Sequence, residues 1–578
     1  MLELFFAQEQ KNGSKEFTFT KKNGEWHGLS FTQVKEKMLK LATTLKNQGV
    51  KKGDRVIILS HSRSEWLIAD LAIMSVGGIS VPIYTTNTAH DHAYIITDSG
   101  AKIAIVENQK LADTFFQAST RLHLKTVIAI DKIVAHSQIA TVIQWQDIMS
   151  KEVDASIEMS IKNIDRENIA CIIYTSGTSG NPTGVMLPHR AILANVAGGI
   201  EVIKEFERPL DSLSLVSFLP LSHAYEHTTG LYLLLGIGGH IHFTPSLDKL
   251  TDTMVYAKPT FVTCVPRLYE SIRDRILKGV KKTGGIKERL FMRTLELGAK
   301  QYENPKLITL KEKIENKILD KLVRKKVQQR FGGNILAFIS GGAPLNYDVG
   351  LFFISLGLNI LQGYGQTEAA PLISVSSPYN NRIDTVGKPL PGVKVKIASD
   401  GEVLVSGDLL MKGYWHKEEK TAETLIDGWL HTGDVGHIDT QGYIHITDRK
   451  KDIIINTGGD NISPQRVEGI VCLEESIEQC MVYGDRKSHL VALVVPSEDA
   501  IIKYVKSGDK PSTSIELKSA LQDTMAKTNK SLSTIEKVRH FIILDEEFNV
   551  KNGLMTNTLK IRRNFIKDKY GKDLEKLY

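Results

Sequence analysis

From Arg55 to Ser340, short apolar runs alternate with stretches whose apolar residues recur every three or four positions. Such alternation predicts parallel strands joined by crossover helices. Phe31 to Gly49 carries Val34, Met38, Leu41 and Leu45 at helical spacing and stops at a glycine. Arg55-Val-Ile-Ile-Leu-Ser then reads as a strand, Ser64 to Val76 as a helix, and Ile79-Ser-Val-Pro-Ile-Tyr as a second strand, together a βαβ unit. Further strand candidates at Ala101 to Glu107, Ile169 to Tyr174, Leu213 to Leu219, His240 to Phe243 and Ile335 to Ser340 extend the pattern into a large α/β body. From Glu402 the strands become shorter and glycine-punctuated, and beyond Asp448-Arg-Lys-Lys-Asp a compact α+β stretch runs to the end. The expected fold class is therefore α/β, with a large multi-subdomain body over 1–449 and a small α+β domain over 450–578. At 578 residues the chain is too long for one hydrophobic core, which agrees with this division. No fixed-period repeat marks a solenoid.

Charge is unevenly spread. The net charge is +7, yet Lys278 to Arg330 holds sixteen Lys and Arg against six Asp and Glu, so that segment alone carries +10. A solvated helical face and contact with an anionic membrane surface both fit such a segment; nucleic acid is not expected. Cys171, Cys264, Cys472 and Cys480 are too sparse for a disulfide framework and lack the paired spacing of a zinc site, so a cytoplasmic location, peripheral on a membrane at most, is the expectation. Met1-Leu-Glu-Leu-Phe-Phe-Ala has no basic region and does not read as a secretory signal. Leu231 to Gly239 is about half the length of a bilayer span and reads as buried core.

The strongest local signal is Tyr174-Thr-Ser-Gly-Thr-Ser-Gly-Asn-Pro-Thr-Gly-Val, directly after a strand candidate. Its glycines and hydroxyl side chains suit a loop that surrounds phosphate oxygens, although it is not the GxxxxGK[ST] loop. The pattern resembles the phosphate-binding signature of the adenylate-forming superfamily, which includes acyl-CoA synthetases, firefly luciferase and peptide-synthetase adenylation domains. Further segments resemble that family's motifs in its order. Leu219-Pro-Leu-Ser-His-Ala-Tyr-Glu is similar to the acyl-site segment; Ser340-Gly-Gly-Ala-Pro-Leu and Gln362-Gly-Tyr-Gly-Gln-Thr-Glu to the adenine pocket; Gly428-Trp-Leu-His-Thr-Gly-Asp-Val-Gly to the ribose motif; Asp448-Arg-Lys-Lys-Asp to the interdomain hinge; and Thr556-Asn-Thr-Leu-Lys-Ile-Arg-Arg to the catalytic-lysine motif. About seventy residues separate Val265-Pro-Arg-Leu-Tyr-Glu from Ser340-Gly-Gly-Ala-Pro, an interval similar to that of long-chain fatty acyl-CoA synthetases.

The resemblance implies ATP- and Mg²⁺-dependent ligation of a long-chain fatty acid to coenzyme A through an acyl-AMP intermediate, with AMP and pyrophosphate released. When a carboxylate attacks the α-phosphorus of ATP two anions meet, so preorganised donors and positive charge must stabilise the reaction. The resemblance assigns Thr175, Ser176, Gly177 and Thr178 to the β- and γ-phosphates, and Glu368 with the Thr175 hydroxyl to Mg²⁺, for which both are suitable hard donors. It assigns Gly342, Ala343, Gln362, Gly363, Tyr364, Gly365 and Thr367 to the adenine pocket, with Tyr364 stacked on the base. Asp434 then accepts from the ribose hydroxyls and Arg449 bonds the ribose or phosphate edge. Lys560 bridges the substrate carboxylate and the α-phosphate, and His223 stands near the carboxylate, where a structural histidine fits equally well. For the thioester step the C-terminal domain turns about Lys451 and presents Gly458 and Gly459 to the pantetheine arm.

One position departs from the family pattern. The phosphate loop usually ends Pro-Lys-Gly, whereas this chain has Pro182-Thr-Gly184, so Thr183 removes a cation beside the pyrophosphate. Either a nearby Lys or Arg, or Mg²⁺ alone, supplies the charge, or ATP binds more weakly. An acyl-AMP ligase serving a carrier protein shares every adenylation residue and is the alternative; a luciferase-like oxygenase and a catalytically silent lipid-binding protein are weaker ones, the last opposed by Glu368, Asp434 and Lys560.

Overall fold

The computed structural model describes residues 1–119, 124–134, 140–175, 181–556 and 560–578. The predicted βαβ unit is present: Arg55–Leu59 and Ile79–Pro82 pair in parallel, Arg55 opposite Ile79, across the helix Ser64–Ser75. All twelve residues of that helix are buried. It packs against the helix Phe31–Asn47, the strands Arg55–Leu59 and Ile79–Pro82, and the strand Glu16–Lys22, which explains why its sequence is apolar around nearly the whole circumference.

Those strands belong to two sheets. Among the described residues, an eight-stranded sheet runs in the order Gly413–Tyr414, Thr183–Pro188, Ile169–Thr175, Ile79–Pro82, Arg55–Leu59, Ile103–Val106, Thr126–Ala129 and Thr141–Gln144. A nine-stranded sheet carries Ser214–Ser217, His240–Phe243, Phe261–Cys264, Ala337–Ser340 and Ile360–Gly365 in parallel at its centre. One apolar core fills the space between the sheets and includes Leu231 to Leu235 and Ile237, as expected of that run. The N-terminal segment forms a helix, Leu2–Asn12, that buries Leu2 and Phe5 in the same core.

From Lys394 a smaller antiparallel sheet takes over, in which Trp429–Ile438 pairs with both Glu402–Ser406 and Ile444–Arg449. Beyond it lies a small α+β unit. Its sheet consists of Ile477–Tyr483, Leu490–Pro496 and Val538–Ile543, and two apolar clusters of its own line that sheet. The cysteines are unpaired, three of them buried. Among the described residues no helix is long and apolar enough to cross a membrane.

Candidate active site

The site lies where the large body meets the small domain. Asp434 and Arg449 face each other across adjacent strands, Asp434 opposite Arg449 in register, with Arg449 Nε 3.5 Å from Asp434 Oδ1. Tyr364, at the end of the strand Ile360–Gly365, donates its hydroxyl to Asp434 Oδ2 at 2.8 Å. Burial raises the Asp434 pKa, while Arg449 and the Tyr364 hydroxyl oppose the rise. Three residues assigned to the nucleotide thus form one connected unit, with Tyr364 and Asp434 buried and Arg449 partly exposed at its edge.

Lys560 completes it from the other domain. Its ammonium feels the charges of Arg449, Asp434 and Glu368, and burial first, then Arg449, depresses its pKa to about 8. Lys560 N donates to Thr556 Oγ1 (3.1 Å) and Thr556 N to the Lys560 carbonyl (2.8 Å), which fixes the base of the lysine. His223 senses the same ammonium: burial, then Lys560, pushes its pKa down to about 4, and its Nδ1 accepts from Tyr225 N at 3.2 Å. It is therefore neutral near pH 7. Arg563, three positions from Lys560, is committed elsewhere, in a paired contact with buried Glu468 at 2.7 and 2.5 Å.

Glu368 stands on the short turn Thr367–Ala369, and its Oε1 accepts from the Tyr414 hydroxyl at 2.9 Å. Thr175 ends the strand Ile169–Thr175 and donates its hydroxyl to the Thr183 carbonyl at 3.3 Å. One carboxylate and one hydroxyl fit a Mg²⁺ ion that takes most of its ligands from phosphates and water. Ser176, Gly177 and Thr178 lie outside the described residues. Within the adenine-pocket motifs, Gly342 has φ +84°, and a Cβ at Gly365 would meet the Pro371 carbonyl oxygen at 1.8 Å, so both must be glycine for backbone reasons. Ala343 directly follows Gly342 in the loop after the strand Ala337–Ser340. A Cβ at Gly363 would press on Leu372. Gln362 donates its amide to the Ile383 and Thr385 carbonyls, at 2.6 and 3.2 Å, and Thr367 is buried.

In the segment expected to hold the hinge, Lys450 is held to the body: its N–H donates to the Gly433 carbonyl and its ammonium pairs with Asp400 and Glu402. Lys451 is the first residue past that clasp. Gly458 and Gly459 lie on the exposed turn between Ile454–Ile455 and Asn461–Ile462, where the Asn456 side chain accepts from Gly458 N and Asp460 N.

Two residues here were not predicted from sequence. Lys417 and Lys420 point their ammonium groups at Thr183, with Nζ to Oγ1 distances of 3.2 and 3.3 Å. The missing lysine at 183 signalled that a cation was needed, but only the pairing of Gly413–Tyr414 with Thr183–Pro188 brings these two into place.

The AMP-binding enzyme family model matches residues 5–415, and that of the AMP-binding enzyme C-terminal domain matches 451–578. The chain is 30% identical to the long-chain-fatty-acid CoA ligase FadD15 of Mycobacterium bovis over 96% of this chain and 93% of that protein. It is also 30% identical to the peroxisomal long chain acyl-CoA synthetase 7 of Arabidopsis thaliana, over 96% and 82%. Among solved structures, the A domain of a carboxylic acid reductase from Segniliparus rugosus, in complex with AMP, superposes with a TM-score of 0.76 at 21% identity, covering 99% of this chain and 93% of that one. An anthranilate CoA ligase, AuaEII, in complex with anthranoyl-AMP gives 0.74 at 19%, covering 99% and 97%. With both its body and its C-terminal domain matched, the chain belongs to the AMP-binding enzyme family.

Proposed function

We propose that the protein is an AMP-forming long-chain fatty acid–CoA ligase. The observation that carries this reading is the meeting of Lys560 with Asp434, Arg449, Glu368 and His223, residues from both domains gathered around one buried ammonium. In the first half-reaction the fatty acid carboxylate oxygen bonds to the α-phosphorus of ATP and the bond to the bridging oxygen breaks, releasing pyrophosphate. Lys560 stabilises the charge shared by carboxylate and α-phosphate, Asp434 and Arg449 hold the ribose, and Tyr364 stacks on adenine. Mg²⁺, held by Glu368 and the Thr175 hydroxyl, supplies charge neutralisation on the phosphates when bound. The neutral His223 lies beside the carboxylate as a hydrogen-bonding partner.

In the second half-reaction the coenzyme A sulfur bonds to the acyl carbon and AMP leaves. The thiol needs the space that Lys560 occupies, so the small domain, which we place at 450–578, turns about Lys451 and brings Gly458 and Gly459 to the pantetheine arm. The orientation described here is the adenylating one. Ion pairs of Lys278 with Asp499 and of Lys281 with Glu475 tie the basic segment to the small domain in this orientation and must part during the turn.

The rest of the basic segment supports contact with a membrane. On the helix Leu310–Leu319 and the turns beside it, Leu307, Leu310, Ile314, Ile318 and Leu322 are 45% to 76% exposed, with Lys311, Lys313, Lys317 and Lys321 interleaved. Apolar side chains flanked by ammonium groups suit the headgroup region of an anionic bilayer, where long acyl chains reside.

The test is purified protein with ATP, Mg²⁺ and palmitate, following pyrophosphate, AMP and palmitoyl-CoA with and without coenzyme A. Palmitoyl-CoA should accumulate, and Lys560→Ala should lose adenylation by at least about a hundredfold. Palmitoyl-AMP that forms while coenzyme A changes nothing would make the chain an acyl-AMP ligase instead.

A further inference from the structure

Thr183 opens the strand Thr183–Pro188, is 3% exposed, and accepts at one hydroxyl oxygen from both Lys417 and Lys420. Among the described residues neither lysine pairs with a carboxylate. Two ammonium groups that share a single neutral acceptor repel each other, and an anion placed between them would relieve that repulsion. The fold holds them there. Gly413 and Tyr414 pair with Met186 and Val185, and Trp415 N donates to the Gly184 carbonyl at 2.8 Å. Thr421 Oγ1 ties Lys417 O to Tyr414 N at 2.9 Å each way, and Lys420 Nζ lies 4.5 Å from the centre of the Tyr414 ring. The Tyr414 hydroxyl reaches Glu368, and the Thr183 carbonyl accepts from Thr175. The two cations therefore border the proposed Mg²⁺ ligands Glu368 and Thr175, through Tyr414 and Thr183. Burial and then Lys417 lower the proton affinity of Lys420, with Glu368 opposing and Lys451 adding to the effect.

We propose that Lys417 and Lys420 are the seat for the terminal phosphates of ATP and for the departing pyrophosphate, in place of the loop lysine that Thr183 displaces. Thr183 is then the neutral hydroxyl that aims the pair. The proposal rests on the adenylating function stated above, and ATP binding measured without turnover judges it separately.

The experiment is calorimetric ATP and pyrophosphate binding, alongside steady-state kinetics, for Lys417→Met, Lys420→Met, the double variant, and the double variant carrying Thr183→Lys. Each single change should weaken ATP and pyrophosphate binding about tenfold, the KM for ATP should rise in step, and the KM for fatty acid should stay put. Thr183→Lys should recover most of the loss in the double variant, because the cation returns from the loop side. The same change in the unaltered protein should give no gain. A double variant that melts normally and binds ATP and pyrophosphate as tightly as the parent would overturn the proposal, as would failure of Thr183→Lys to restore binding in a double variant that has lost it. If the parent binds ATP but ligates no acid, the functional reading fails while the binding ratios still decide the role of the lysines.

Discussion

Lys560 works at a cost to the fold. A lysine whose pKa falls from 10.5 to about 8 is bound more tightly to its proton in the unfolded chain than in the native one. The penalty is complete below pH 8 and fades as pH rises toward 10.5, and it amounts to about 3 kcal/mol. Lys560→Met should therefore raise Tm at pH 7, and the gain should shrink in melts recorded toward pH 10. Activity depends on the same proton in the opposite sense. In the free enzyme kcat/KM for adenylation should fall as pH rises through about 8, and Lys560→Arg, slower throughout, should lack that alkaline limb because a guanidinium stays charged. A profile identical in the Lys560→Arg protein would assign the limb to another group. Other motif positions mean something different in the fold than in the sequence. Gly365 and Gln362 sit in an adenine-pocket signature, yet the glycine makes room for the Pro371 carbonyl and the glutamine bonds two backbone carbonyls. A motif preserves the packing that shapes a site as well as the groups that touch ligand.

Secondary structure elements were legible where one face is buried. The helix expected from Phe31 to Gly49 forms over Phe31–Asn47, and Ser30 with Gln33 makes a reciprocal cap at its start. His240 to Phe243 is a strand with the bounds read from its pattern. Short strands such as Thr126–Ala129 and Thr141–Gln144 were missed, because four residues carry too little periodicity to separate from a loop. The helix Leu310–Leu319 inverts the usual rule: Glu312 and Glu315 face the neighbouring helix Gly285–Glu303, paired with Lys300 and Arg293, while Leu310, Ile314 and Ile318 face water. Co-sedimentation with vesicles tests what that face does. The protein should bind phosphatidylglycerol vesicles and much less to phosphatidylcholine, and Ile314→Glu with Ile318→Glu should abolish binding while Tm stays within about a degree or two, since both side chains are already exposed. Concentration-dependent self-association lost in the same variant, without vesicle binding, would instead make the face a contact between copies of the chain.

At the scale of the whole molecule, two sheets with a buried helix between them form a rigid wall, and a small domain with its own core carries the lysine to it. The Lys450 clasp on Asp400 and Glu402 holds the chain to the body up to the residue before Lys451, which is the basis for the proposed hinge there. Proline at 451 should restrict the backbone there and block the turn. Rapid-quench measurement on Lys451→Pro should then find acyl-AMP formed at near the parental rate and thioester formation slowed by about a hundredfold or more. Equal slowing of both steps would place the hinge elsewhere. The ordered motifs from Tyr174 to Arg563 made the family, the α/β class, and Lys560, Asp434 and Glu368 as site candidates readable in the sequence, because each motif encodes a local backbone shape together with its chemistry. The chain by itself could not say how a threonine at 183 is compensated, nor that an apolar stripe at 310–322 faces outward. The answers lie in the antiparallel pairing of Gly413–Tyr414 with Thr183–Pro188 and in the ion pairs that turn the other face of a helix inward. The contacts that bring Lys417 and Lys420 to Thr183 span more than two hundred residues and leave no local trace in composition or spacing; only the packed chain decides which charges meet.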